Sequence, residues 1–371
     1  MRIPAADLRA QHAGLRDELI EAFRRVLDSS AFINGEDVAA FEREFAAFCA
    51  VPHAVAVANG TDALALALRV AGVGPGDAVA LPAFTFAATA EAVCHVGARP
   101  VLVDVDPQTC NIDPQALRDS LRRERVRALI PVHLYGQPAA MDDVVALARE
   151  HDAATVIEDA AQAHGARYRG RRAGSLGTLA CFSFYPTKNL GALGDAGAIT
   201  TTNADLAERL RALRDHGQSR KYEHAVVGFN SRLDSIQAAA LRIKLRHVDE
   251  WNRRRRVIAQ RYRDELRDAR GITLLTERAE CEAVYHLFVV RCDERDSLRR
   301  YLDERGIATS IHYPIPLHAQ PAFAAIAAGR FPQAELLARQ VVALPMYPEL
   351  SEASVEAVCL AVREWSAARR S

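Results

Sequence analysis

Between Ala54 and Glu158 the chain repeats one unit, a short and continuously apolar run followed by a helical stretch. Ala54–Ala58, Ala78–Leu81, Arg99–Val103, Ala128–Leu134 and Thr155–Glu158 read as strands. Helices such as Asp62–Ala71, ended by Gly72, and Met141–His151 fall between them. Strands that lack polar alternation are buried on both faces, so the pattern predicts a mostly parallel sheet with helices above and below it. In sheets of this kind ligands gather at the carboxyl ends of the strands.

The chain has 371 residues, which exceeds one ordinary core and predicts two domains. Leu8–Cys49 reads as helical, with Leu15, Leu19, Ile20, Phe23 and Leu27 on one face and Val38, Phe41, Phe45 and Phe48 on the next. A long helix is expected from Leu241 to about Arg267. Its run Arg253–Arg256 reads as a solvated face, because Asp249, Glu250, Asp264 and Glu265 flank it and Val257, Ile258 and Tyr262 supply an apolar side. A smaller α+β domain follows from near Gly271, with strands at Ile272–Leu275 and His286–Arg291 and helices at Gln333–Val342 and Val355–Ala367. The expected division is residues 1–245 for a three-layer α/β domain and 246–371 for the connecting helix and the small domain.

Lys plus Arg and Asp plus Glu each number 47, so no net field recruits nucleic acid or an acidic membrane, and any anion must be held locally. The start, MRIPAADLRAQ, has no apolar signal core, and no run approaches the ~18 apolar residues of a spanning helix. The seven cysteines are scattered and form no CxxC pair. Neither a zinc site nor a disulfide framework is indicated, and a cytoplasmic location is expected. Asp104 and Asp106 lack further ligands, so no metal is expected there.

Three stretches carry chemistry. Cys181–Gly191 places Lys188 after a Ser/Thr/Pro-rich turn and ahead of Gly191, Gly194 and Gly197. Such a lysine is either a solvated loop residue or a buried amine with a lowered pKa, ready to react with an aldehyde. Asp159 closes the strand Thr155–Glu158; it either caps a following helix or reaches the crevice, where a carboxylate holds a pyridine nitrogen protonated. Gln162 comes three residues later. Asn59-Gly60-Thr61-Asp62 joins a strand to a helix, and the free amides of that first turn suit a phosphate, although an ordinary Thr or Asp cap gives the same letters.

In this order, these elements resemble the DegT/DnrJ/StrS-type sugar aminotransferases, enzymes of pyridoxal 5'-phosphate (PLP) fold type I. The resemblance runs through NGTDALALAL (59–68), PAFTFAATAEA (82–92), VDVDPQT (103–109), PVHLYGQPAAMD (131–142), EDAAQAHGA (158–166), FSFYPTKNLGALGDAGAI (182–199), HGQSRKYEH (216–224), GFNSRLDSIQAA (228–239), IHYPIPLHAQPAF (311–323) and LPMYPEL (344–350). It implies the PLP-transferase fold and a set of roles. Lys188 is the Schiff-base lysine, Asp159 pairs with the pyridine nitrogen, and Gln162 contacts the ring hydroxyl side. Gly60, Thr61, Asp62 and Ser183 hold the phosphate, and Phe84 stacks on the ring. Asn230 reaches the phosphate of a neighbouring subunit, which implies a homodimer with shared sites. Related dehydratases carry histidine at the lysine position, so Lys188 favours transamination.

The resemblance further implies a ping-pong transfer from L-glutamate, through pyridoxamine phosphate, to a nucleotide-linked keto-sugar. His312, Tyr313, Arg220 and Lys221 line the sugar-nucleotide side in that reading, the two cations alternatively being solvated loop residues. HGQ, NSRLD and HYPIPL look most like members that act on 3-keto sugars. Amination at C-4 and a PLP-binding regulator without turnover are the alternatives.

Overall fold

The computed structural model describes residues 2–151, 155–324, 326 and 329–368. Helices α1 (Leu8–Ala13), α2 (Arg16–Ser29) and α3 (Glu36–Phe48) lead into β1 (His53–Val57) and α4 (Gly60–Val70). Then come β2 (Ala78–Pro82), α5 (Ala87–His95), β3 (Arg99–Val103), α6 (Pro114–Arg123), β4 (Ala128–Leu129), α7 (Met141–Glu150) and β5 (Thr155–Asp159). The short pair β6 (Arg167–Tyr168) and β7 (Arg171–Arg172) precedes β8 (Leu179–Ser183), β9 (Gly197–Thr201) and α8 (Ala204–Arg214). A hairpin of β10 (Gln218–Arg220) and β11 (Glu223–His224) is followed by α9 (Ser235–Leu245) and α10 (Val248–Leu266). The chain closes with β12 (Ile272–Leu274), β13 (Cys281–Glu282), β14 (Phe288–Cys292), α11 (Arg295–Asp303), α12 (Pro332–Gln340), β15 (Val341–Leu344) and α13 (Glu352–Ala368).

The central sheet has the order β1-β9-β8-β5-β4-β2-β3. Its ladders are parallel from β8 to β3, while β9 runs antiparallel to both β8 and β1. Alternate strand residues enter different cores, as a pleat with period two requires. Val55, Val57, Val79, Leu81, Ile157 and Leu179 join one cluster with α4 and α5. Ala54, Ala56, Ala180 and Phe182 face the other way onto α2, α3 and α9, and Ala78, Ala80 and Val156 onto α6 and α7. The sheet is therefore covered on both sides, as the apolar runs predict. A separate core of Ile258, Tyr262, Val290, Leu298, Val342 and Val362 fills the antiparallel sheet β12-β14-β15 and its helices.

Four expectations need correction. The helix expected over Leu241–Arg267 is two helices, α9 and α10, broken at Arg246–His247. Val257, expected on its apolar side, is 60% exposed. The strand expected through Leu134 pairs only at Ala128–Leu129, after which Val132 bridges Asp159 and a 3-10 turn begins. The helix expected to reach Val342 ends at Gln340, because the β-branched pair Val341–Val342 enters the ladder with β14.

Two carboxylates of the third strand's exit, Asp104 and Asp106, are structural. Asp104 accepts from the amides of Gln333 (3.0 Å) and Ala334 (2.9 Å) and so caps α12 from the edge of the sheet. Asp106 closes its own turn through Gln108 N (2.8 Å) and pairs with Arg278 at 3.4 Å.

Candidate active site

The carboxyl ends of β2, β5 and β8 open on one cavity of about 350 Å³. Lys188, Asp159, Gln162, Ser183, Gly60, Thr61, His312 and Tyr313 all line it. Lys188 sits on the turn that carries β8 into β9, with its own amide bonded to Tyr185 O at 2.8 Å. Burial holds the Lys188 amine down to about 8, with the charge of Asp159 opposing. Burial lifts the Asp159 carboxyl, against a donated bond from Thr89, the Ala161 amide and the charge of Lys188. Each member of the pair thus lies closer to neutrality than it would in water, the condition under which an amine is nucleophilic.

Asp159 is held on two sides. Thr89 Oγ1 donates to Oδ2 at 2.9 Å and lies 3.1 Å from Thr85 Oγ1, while the Ala161 amide meets Oδ1 at 3.2 Å. Its neighbour Glu158 points the other way, into the core. Glu158 accepts from the amides of Leu176 (2.7 Å), Gly177 (2.8 Å) and Gly174 (2.9 Å) and from His133 Nε2 (3.0 Å). Because His133 Nδ1 accepts from the Ala139 amide at 3.1 Å, the ring carries its proton on Nε2. This cage fixes the end of β5, and with it Asp159.

Gln162 is pinned at both ends of its amide. Oε1 accepts from Tyr135 N at 2.7 Å, and Nε2 donates to Tyr313 OH at 3.2 Å. Tyr135 holds a left-handed φ of 59° and its hydroxyl donates to His312 O, so the His312–Tyr313 segment is tied to the floor of the cavity.

The anion cradle differs in detail from expectation. Asn59 is the N-cap of α4, and its side chain accepts from Asp62 N at 2.8 Å. Asp62 therefore has its amide occupied, and its carboxylate accepts from Ser231 Oγ at 2.7 Å; it is not among the residues that line the cavity. Gly60 and Thr61 remain at the head of the helix, where amides lack intrahelical partners and the dipole favours an anion. A Cβ on Gly60 would come within 2.6 Å of Ser183 Cβ, so glycine lets the helix start press against the end of β8.

Phe84 also needs correction. It is fully buried in the core, whereas Phe86, two residues on, is 57% exposed and lines the cavity. Arg220, Lys221 and Asn230 are exposed and lie off the chain's own cavity. Thr85, Thr89 and His286 line it without having been singled out. The threonine pair left a faint trace, two hydroxyls four residues apart just after a strand.

An amine-bearing lysine, a buried carboxylate facing the same space and an anion cradle at a helix start fit PLP. The fold and this site define a PLP-dependent aminotransferase of fold type I. The chain belongs to the DegT/DnrJ/EryC1/StrS aminotransferase family, whose pattern matches residues 14–363. It is 49% identical over 98% of its length, and 96% of the relative's, to dTDP-3-amino-3,4,6-trideoxy-alpha-D-glucose transaminase of Streptomyces venezuelae. It is also 49% identical over 96% of its length, and 98% of the relative's, to the erythromycin biosynthesis sensory transduction protein EryC1 of Saccharopolyspora erythraea. The crystal structure of S. venezuelae DesV in complex with a ketimine intermediate superposes with a TM-score of 0.96, at 49% identity and 98% coverage of both chains.

Proposed function

We propose that this enzyme transfers the amino group of L-glutamate to C-3 of a nucleotide-linked keto-sugar. The observation that carries the transfer chemistry is the meeting of Lys188 and Asp159, both shifted by burial, in one cavity headed by the α4 amides. The position on the sugar is supported by the transaminase relative, whose product name places the amino group at C-3.

Bound PLP supplies an electron sink for the carbon that bears the reacting nitrogen. Asp159 holds the proton on the ring nitrogen, and Thr89 keeps that carboxylate oriented. Lys188 Nζ takes the proton from the nitrogen-bearing carbon and returns it one position away. Gly60 and Thr61 amides with Ser183 would hold the phosphate, Gln162 would lie beside the ring hydroxyl, and Phe86 rather than Phe84 would offer the aromatic face. Tyr313 and His312 close the sugar side.

Arg220, Lys221 and Asn230 enter through a second subunit in this reading. They stand exposed, as do the apolar side chains of Phe32, Ile33, Val226, Val227 and Phe229, which a homodimer would cover. The division at residues 245 and 246 is proposed with it, since the small-domain core draws on α10 from Ile258 onward, with Ile3 of the first segment added to it.

The test pairs a variant with a substrate panel. Lys188→Ala should lose the yellow absorbance and all turnover. Native enzyme should form 2-oxoglutarate with UDP- or dTDP-linked 3-keto sugars. Exclusive use of 4-keto sugars overturns the C-3 assignment. Binding of PLP with no 2-oxoglutarate from any keto-sugar favours a regulatory protein.

A further inference from the structure

His286 stands where two cavities meet. It is 8% exposed, and it lines both the active-site cavity and a smaller one of about 210 Å³ behind Lys188. Among the described residues, only Thr187, Lys188 and His312 share both walls with it.

A chain of buried amides fixes the ring. Asn252 of α10 donates from Nδ2 to His164 O at 2.7 Å, so its Oδ1 faces Asn189. Asn189, next to Lys188 in the chain, donates from Nδ2 to that Oδ1 (2.8 Å) and to Val284 O (3.0 Å). Each amide thus meets a backbone carbonyl, which only accepts, so neither amide can be turned over. Asn189 Oδ1 is left as the acceptor for His286 Nδ1 at 3.2 Å. The His286 ring therefore carries its proton on Nδ1, and Nε2 holds a lone pair. Nε2 has no hydrogen bond among the described residues, yet it is not sealed off as the ring nitrogens of His164 are. It is the atom that the ring has left to offer. Burial, and after it the charges of Lys188 and Arg255, hold the ring well below the usual histidine range, so it stays neutral.

A neutral ring that can only accept at Nε2 suits an amine as its neighbour. We propose that His286 positions Lys188, its Nε2 accepting one N–H of the Lys188 amine whenever that amine is free of the cofactor. An acceptor at that point leaves the nitrogen lone pair unoccupied and turned to the cavity that Asp159 shares. The opposite tautomer would donate to the lone pair and quench it. Two other histidines feel the charge of Lys188, and neither is fixed in this way. His164 lines neither cavity. His312 Nδ1 lies 3.5 Å from Ser310 Oγ, a hydroxyl that donates as readily as it accepts, so no tautomer is imposed. The inference rests on the aminotransferase reading and adds to it the group that aims the lysine between its two proton transfers.

Nitrogen NMR of apoprotein with isotope-labelled histidine tests the contact apart from turnover. The His286 signals, assigned by their loss in either His286 variant, should show a proton on Nδ1 and none on Nε2 at neutral pH. In Lys188→Met, which keeps the bulk and removes the donor, the Nε2 signal should move and the Nδ1 signal should stay. Kinetics test the positioning. An asparagine amide can stand in for Nδ1, and a glutamine amide for Nε2. His286→Asn should therefore keep the bond to Asn189 and lower kcat at least tenfold, with KM for both substrates within threefold. His286→Gln should lose that bond and hold kcat within threefold. A merely structural role reverses this order, because only asparagine preserves the buried chain. A proton on Nε2, an Nε2 signal unmoved in Lys188→Met, or a larger loss of kcat in His286→Gln overturns the proposal. An Nε2 that responds to Lys188, with no 2-oxoglutarate formed from any keto-sugar, retains the contact and overturns the reaction.

Discussion

The hydroxyl of Thr89 donates to the carboxylate of Asp159 at 2.9 Å, joining two residues that lie 70 positions apart. Burial pushes the Asp159 carboxyl up, and this bond is the first of the opposing influences. Thr89→Val removes the donor and keeps the shape, so Asp159 should protonate at higher pH. A hydrogen bond to a charged group contributes about 1.5–3 kcal/mol, so kcat/KM should fall roughly tenfold or more. The acid limb of the pH profile should move upward. Thr89→Ser should restore both, which a purely steric role would not require.

Cofactor capture should follow the ionisation of Lys188. Its pKa is lowered from 10.5 to about 8, and only the neutral amine attacks an aldehyde. The rate at which apoenzyme gains the yellow absorbance should rise tenfold per pH unit below about 8 and level off above it. The same shift has a stability counterpart. The folded apoprotein binds fewer protons than the unfolded chain between about 8 and 10.5, so its stability should rise with pH across that window. A flat capture rate from pH 6 to pH 9 would contradict this account.

Gly60→Ala should weaken cofactor binding without unfolding the protein. The added Cβ lands 2.6 Å from Ser183 Cβ, and relief must come from moving the first turn of α4 away from the cradle. Overpacking of this kind costs roughly 1–3 kcal/mol, so the dissociation constant of PLP should rise about tenfold in equilibrium dialysis.

Glu158→Gln should act on stability before chemistry. The native carboxylate accepts from three amides and from His133 Nε2. A carboxamide must turn its NH2 toward at least one of those donors. A loss of roughly 3 kcal/mol is expected from urea unfolding of the apoprotein. An unchanged midpoint would show that the cage is dispensable.

Subunit mixing tests the shared site. Lys188→Ala and Asn230→Ala homodimers should each be inactive or nearly so. Random exchange makes half the dimers mixed, each with one intact site of two, so about a quarter of native activity should return. No recovery after verified exchange places Asn230 outside the partner's site.

What was legible in the sequence divides along physical lines. Apolar runs marked the sheet because burial on both faces leaves no alternation to hide it. Lys188, Asp159, Gln162, Ser183, His312 and Tyr313 stood in motifs, and the fold brings all six to one cavity. Phe84 and Phe86 were not separable. Two residues apart on an extended segment share one face, so only the turn between the end of β2 at Pro82 and the start of α5, where Phe86 is the N-cap, buries the first ring and leaves the second exposed. Asn59, Thr61 and Asp62 are all capping residues, and only the start of α4 at Gly60 decides among them. β8 and β9 were not read as strands, since each is a five-residue run flanking the glycine-rich stretch around Lys188, and the reversed direction of β9 leaves no mark in an apolar run that reads alike in either sense. Thr89 gave no local signal, since its partner Asp159 lies 70 positions away in the chain.

The position of Lys188 between β8 and β9 bears on how the molecule assembles. Ser183 pairs with Gly197, so the reactive turn is closed by two neighbouring antiparallel strands. Loop closure of that length costs little entropy, and hairpins form early compared with pairings that span a hundred residues. The arch that displays the amine can therefore be in place while the helix start at Gly60 and the His312–Tyr313 segment are still distant. A nascent chain would display the Lys188 amine before the pocket that buries it exists, and until that burial lowers its pKa the amine stays as protonated as any surface lysine.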